Sequence, residues 1–332
     1  MLNEVIENTE RFIASVPKAK RKKYGQFFTN STTAKFMASL FCFDLSKSKI
    51  EILDAGAGTG ILAAAVVQKL EEDGFLGKIH ITCYETDELV LPLLKENMSL
   101  SKRFDNISYT IKNENYITSQ SFSNKNIFEE ECFHYDYVIG NPPYMKIPKD
   151  AVEALAMPEV CYGAPNLYFL FWAMGIHNLK EGQELVYIIP RSWTSGAYFK
   201  KFREYLFEKC VITDIHLFES RDKVFEGESV LQETIIIKVR KTIQKPKTIN
   251  ITASSTSDFK DIRHFGAPYN TVVAKNNYVY LVTNKDDAYV LSSINHFQKT
   301  LPEINLKMQT GIIVDFRDRK STRLNSSHLV IS

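Results

Sequence analysis

A glycine-rich octapeptide, Leu53-Asp54-Ala55-Gly56-Ala57-Gly58-Thr59-Gly60, separates a short apolar run (residues 50–53) from an alanine-rich run (61–70). Strand, tight glycine turn, helix is what this order spells, and few folds accommodate it. Glycines allow the turn and let a ligand approach the backbone closely. The spacing is D-x-G-x-G-x-G. A dinucleotide turn would read G-x-G-x-x-G, and Ile61 stands where its third glycine would fall. The helix start then suits a smaller anion or an amino-acid moiety better than a pyrophosphate. The competing reading is a turn that serves packing alone.

The pattern around the turn extends this beginning. Strand-like runs at 78–83, 107–111, 135–139, 184–189, 211–218 and 230–239 alternate with helix-like segments at 31–45, 61–70, 167–179 and 199–208. Such alternation predicts an α/β fold, a doubly wound sheet of seven strands with helices on both faces. The catalytic domain is expected to span residues 1–245. Residues 241–257, rich in Lys, Thr and Ser, read as a connection. Residues 246–320 are expected to be a linker and an incomplete second region, and 321–332 a non-native or disordered tail.

Composition narrows the class further. With 332 residues, 44% apolar and 24% charged, the chain can bury a core without disulfides or metals. Cys42, Cys83, Cys132, Cys161 and Cys210 are scattered without a C-x-x-C pair, and the histidines show no ligand spacing. No metal is expected, and free thiols in a reducing cytoplasm are. The longest apolar stretch, 167–176, is too short for a membrane span, so no membrane partner is expected. A net charge of +2 does not by itself point to nucleic acid. The basic run Lys18, Lys20, Arg21, Lys22, Lys23 is either a solvated arm or a phosphate contact.

Two further features carry chemistry. Glu85 ends the second strand, where a carboxylate can accept hydrogen bonds from both ribose hydroxyls of a nucleoside. Asn141-Pro142-Pro143-Tyr144 directly follows the fourth strand. Its prolines end the ladder. The Asn141 amide oxygen and the Pro142 carbonyl can then accept both hydrogens of one planar NH2. Two acceptors draw that nitrogen toward sp3 character and stabilise positive charge as it attacks a sulfonium methyl. Tyr144 offers a ring face for a planar substrate. The bland alternative is a proline loop after a strand.

With these motifs the chain resembles the amino-methyltransferases that carry N-P-P-Y, and specifically the gamma-class adenine-N6 DNA methyltransferases of restriction–modification systems. The likeness spans most of residues 20 to 240. It implies S-adenosyl-L-methionine as cofactor and double-stranded DNA as partner, with a cognate restriction endonuclease as a second. Tyr24-Gly25-Gln26-Phe27-Phe28-Thr29 matches the family's first cofactor motif, which assigns Gln26 and Thr29 to the cofactor. Asp54, Gly56 and Gly58 match the glycine turn, and Glu85 the ribose carboxylate. Asn113-Glu114-Asn115-Tyr116 stands where the family has Asp followed by an aromatic residue, so Asn115 and Tyr116 are expected at the adenine. Phe225 holds a place where a second aromatic can meet a flipped base, or else it is core packing. Gly311 to Arg317 is similar to a segment that opens the family's target-recognition region, and the tail after it fits no motif. The same tetrapeptide occurs in enzymes that methylate a protein glutamine at N5 or a base in RNA, and both substrates stay open. A DNA-binding module without methyl transfer is the reading of another class.

Overall fold

The computed structural model describes residues 1–16, 28–120, 135–219, 233–294, 297, 299 and 301–306. Gln26, Phe225, the basic run at 18–23, residues 311–317 and the tail at 321–332 lie outside them. The chain divides into two units, Met1–Ala288 and Tyr289–Ser332, and the sheet and its cavity belong wholly to the first.

Among the described residues one nine-stranded sheet forms, in the order β3-β2-β1-β4-β5-β7-β6-β8-β9. Its strands are β1 (Lys49–Ala55), β2 (Lys78–Tyr84), β3 (Ile107–Lys112), β4 (Tyr135–Gly140), β5 (Leu179–Pro190), β6 (Val211–Phe218), β7 (Thr234–Arg240), β8 (Thr248–Ser254) and β9 (Arg263–Pro268). The first five run parallel, and β7 inserts antiparallel between β5 and β6. Every residue of β4 is buried, as expected of a central parallel strand covered on both faces.

The helices are α1 (Leu2–Ser15), α2 (Ser31–Ser39), α3 (Ile61–Glu72), α4 (Leu91–Ser99), α5 (Val152–Ala156), α6 (Leu167–Asn178), α7 (Lys200–Lys209), α8 (Tyr269–Val272) and α9 (Lys285–Ile294). Helix α6 buries all its residues except Phe171. An apolar sequence on every side therefore marks a covered helix here. Helix α1, which no sequence motif announced, buries Leu2, Val5 and Thr9.

The seven expected strands are present, and the sheet continues past them. Strand β8 pairs parallel with β6, and β9 antiparallel with β8. The segment read as a connection thus supplies a strand, because Thr-Ile-Asn-Ile-Thr alternates β-branched residues with polar ones at period two. The boundary expected at residue 245 falls inside the unit Met1–Ala288.

The strand order also locates the site. From β1 the chain winds outward through β2 to β3, then returns to the other side of β1 with β4. At such a reversal the connections after neighbouring strands leave in opposite directions and open a crevice beyond the strands' carboxyl ends. The glycine turn follows β1, Glu85 follows β2, Asn115 comes shortly after β3, and Asn141 follows β4.

Candidate functional site

A cavity of about 710 Å³ occupies that crevice, within the size range of small-molecule sites. Gly56, Gly58, Glu85, Asn115, Tyr116, Asn141 and Pro142 line it, so seven of the twelve expected site residues come together there. The lining also includes Phe28, Tyr84, Pro143, Met145, Glu153 and Phe171, none of them expected as site residues. Thr29, Asp54 and Tyr144 stand behind the lining: Thr29 and Tyr144 hold Asn141, and Asp54 holds the first turn of α3.

The glycine turn is built from positive φ angles: +74° at Gly56, +55° at Gly58 and +80° at Gly60. The amides of Gly56 and Ala57 both donate to the Tyr84 carbonyl at 2.9 Å, which docks the turn onto the end of β2. A side chain at Gly58 would meet the Phe28 ring, at 3.8 Å, and one at Gly56 the Phe171 ring at 3.6 Å and Pro143 Cδ at 4.0 Å. The missing side chains are thus the floor of the cavity. Asp54 lies beneath it, fully buried, with Oδ2 accepting from the Ala63 amide in the first turn of α3 at 3.1 Å. Its Oδ1 is buried without a hydrogen-bond partner among the described residues. Burial raises the Asp54 pKa to about 7, helped by the charge of Glu85 and opposed by the Ala63 hydrogen bond.

Glu85 is held by three backbone donors. Its Oε2 accepts from Gly58, and Oε1 from Thr86 and Asp87, each at 2.8 Å. Burial raises its pKa above the usual carboxylate value while these donors pull it back. Three of the roughly four lone-pair sites are thereby used, and the remaining one, on Oε2, is available to a hydroxyl donor.

Asn141 is fixed at both ends of its carboxamide. Nδ2 donates to Thr29 Oγ1 at 3.1 Å, and Oδ1 accepts from the Tyr144 hydroxyl at 2.8 Å. The same hydroxyl lies 2.9 Å from the Ile188 carbonyl. Burial drives the Tyr144 pKa far up, so the hydroxyl stays a donor. Drawn inward by these partners, Tyr144 is 9% exposed, with its ring edge-on to Tyr168. The structure does not bring its ring face into the cavity. Thr29 is in turn set by its neighbour Asn30, which caps α2 by accepting from the Thr33 amide at 2.7 Å and donates to Ser257 Oγ at 2.9 Å. The connection after β8 thereby supports the Asn30 cap behind Asn141.

At the β3 end, Asn115 Oδ1 accepts from the amides of Ile117 and Thr118 at 3.0 and 3.2 Å, and Nδ2 donates to Glu153 Oε1 at 2.7 Å. Tyr116 is buried edge-on against Tyr84.

A nucleoside joined to an amino acid suits these residues. A glycine cradle that any Cβ would fill meets a carboxylate one strand away, and among the described residues the lining holds no Lys, Arg or His.

The sheet order and this site define a class I S-adenosylmethionine-dependent methyltransferase fold. A solved Listeria monocytogenes structure described by that class superposes with a TM-score of 0.53 at 18% identity, over 69% of this chain and 66% of that one. Residues 22–225 match the model of the Eco57I restriction-modification methylase family, and the chain belongs to that family. Its cofactor is S-adenosylmethionine. The chain is 33% identical to the type II methyltransferase M.BsuBI of Bacillus subtilis over 97% of its own length and 65% of that protein's. It is also 33% identical to M.PstI of Providencia stuartii, over 91% and 60% respectively. It therefore spans less than two thirds of the length of these relatives. Among the described residues no helix is long and apolar enough to cross a membrane.

Proposed function

We propose that this chain transfers a methyl group from S-adenosylmethionine to the N6 amine of adenine in double-stranded DNA. The observation that carries this reading is the Asn141 carboxamide, pinned by Thr29 and Tyr144 at the mouth of β4 and facing a cavity floored by the glycine turn. When bound, S-adenosylmethionine supplies an electrophilic methyl. Glu85 would accept a ribose hydroxyl at Oε2, and the turn at Gly56 and Gly58 would leave room for its amino-acid half.

Thr29 accepts from the nitrogen of Asn141, so the amide oxygen is the end that would meet an amine donor. That oxygen accepts from Tyr144, and an amide oxygen can accept an amine hydrogen as well. With the Pro142 carbonyl as second acceptor, the attacking nitrogen gains electron density as positive charge develops on it. The amine loses its proton after the methyl arrives, so no strong base is required. Flipping an adenine from the duplex costs on the order of a few kcal/mol. Pro142, Pro143 and Met145 offer an apolar wall for the extruded ring. Tyr144 serves in this scheme through its hydroxyl, as a positioning residue for Asn141.

Modification of this kind protects DNA from a cognate endonuclease, the second proposed partner. Incubation with methyl-labelled S-adenosylmethionine and, separately, plasmid DNA, total RNA and release-factor protein tests the reading. Label is expected in DNA as N6-methyladenine. Label confined to a protein glutamine or to RNA would reassign the substrate while keeping the chemistry.

A further inference from the structure

If the donor methyl faces Asn141 after β4 and the ribose sits on Glu85 after β2, the base extends onward. Strands are spaced about 4.8 Å apart, and the order β3-β2-β1-β4 puts β3 next in line beyond the ribose. The adenine of the cofactor therefore ends at the wall that follows β3, where Asn115, Tyr116 and Glu153 line the cavity. Its exocyclic amine brings two donor hydrogens to that wall and needs an acceptor.

Asn115 is poorly placed to be that acceptor. Its amide oxygen already takes two backbone hydrogen bonds, from Ile117 and Thr118, which use both of its lone pairs. Its nitrogen presents donors, and a donor facing an amine is repulsive. That nitrogen instead grips Glu153, at 2.7 Å. Glu153 lies on α5, twelve residues beyond Asn141, and is half-buried. Only Oε1 is engaged by Asn115, so the carboxylate keeps acceptor capacity at the cavity wall.

We propose that Glu153, oriented by Asn115, is the acceptor that recognises the 6-amino group of the cofactor's adenine. This inference rests on the S-adenosylmethionine reading of the same cavity. It also ties cofactor recognition to the catalytic loop, because the segment that clamps the target amine continues directly into the helix that reads the cofactor's own.

The other carboxylates of the lining suit the task less well. Glu85 is committed to backbone donors at the ribose position, Asp87 Oδ1 accepts from the Leu89 amide at 2.8 Å, and Glu88 and Glu114 are exposed. Glu153 alone among them is both half-buried and fixed by a side chain that itself lines the cavity.

The test is calorimetric titration of the full chain with S-adenosylhomocysteine and with its analogue bearing hydrogen in place of the 6-amino group. A hydrogen bond to a charged acceptor predicts that wild type prefers the amino compound by roughly 10- to 100-fold. Glu153→Ala should lose that preference by weakening the amino compound alone, leaving the deamino analogue bound as in wild type. Glu153→Gln, which keeps a neutral acceptor, should recover part of it. An equal fall for both ligands in Glu153→Ala would show a structural role, and unchanged affinity for both would show none. Either result overturns the assignment while leaving the cofactor reading intact. Absence of any binding of S-adenosylhomocysteine to wild type would remove the cofactor reading and this inference with it.

Discussion

Asp54 gives a stability signature that can be worked out from its surroundings. Its carboxyl is fully buried, one oxygen has no partner among the described residues, and its pKa rises from 3.8 to about 7. Between those values the folded chain holds the proton and the unfolded chain releases it. Stability therefore falls as pH rises through this window, by about 1.4 kcal/mol per pH unit. Across the whole interval the loss is on the order of 4 kcal/mol. Asn is nearly isosteric with the protonated acid and keeps an oxygen for the Ala63 amide, so Asp54→Asn should remove the pH-dependent part. Near pH 5 the variant should match wild type or fall below it, because its buried NH2 would lack an acceptor at a cost of about 1–3 kcal/mol. Near pH 8 it should be the more stable of the two. For a chain of this size, about 2 °C per kcal/mol, the melting temperature of the variant relative to wild type should climb by roughly 5–10 °C from pH 4 to pH 8. Thermal unfolding followed by circular dichroism at half-unit pH steps measures it. A difference that stays constant over that range would show that Asp54 is not a buried acid under strain, and the reasoning would fail.

Three other perturbations have distinct readouts. Gly60→Ala puts a Cβ 2.6 Å from Met98 Cε and 2.9 Å from Leu94 Cδ1 at a φ of +80°, so left-handed backbone and overpacking should together cost about 2–5 kcal/mol in urea unfolding; a loss below about 1 kcal/mol would contradict the geometry. Asn141→Ala should abolish methyl transfer while leaving S-adenosylhomocysteine affinity within a few-fold of wild type, and near-normal transfer would remove the clamp. Thr29→Val deletes the hydroxyl that pins the Asn141 nitrogen. It should lower kcat about 10-fold, the effect of one net hydrogen bond, with cofactor affinity unchanged, and Thr29→Ser should restore it.

Much of the site was legible because its residues sit at strand ends, and strand ends are where periodicity breaks. Gly56, Gly58, Glu85 and Asn141 each interrupt or terminate an apolar run, and the sheet order brings those interruptions together. Glu153 gave no such signal. It lies on a five-residue helix between β4 and α6, and its meaning comes from Asn115, thirty-eight positions away in sequence. Phe171 was hidden for the opposite reason, as one apolar residue among many in α6. The role of Tyr144 turned on where its hydroxyl finds acceptors, and the Ile188 carbonyl, on a different strand, is one of them. Strand β8 was obscured by Thr and Ser, residues as common in connections as on the polar positions of a strand.

A structure of this chain with S-adenosylhomocysteine bound tests the central claim most directly. The ribose hydroxyls should rest on the Glu85 carboxylate, and the sulfur should look toward the Asn141 oxygen and the Pro142 carbonyl with no protein atom between. A ligand whose ribose avoids Glu85, or whose sulfur is walled off from Asn141, would contradict the account.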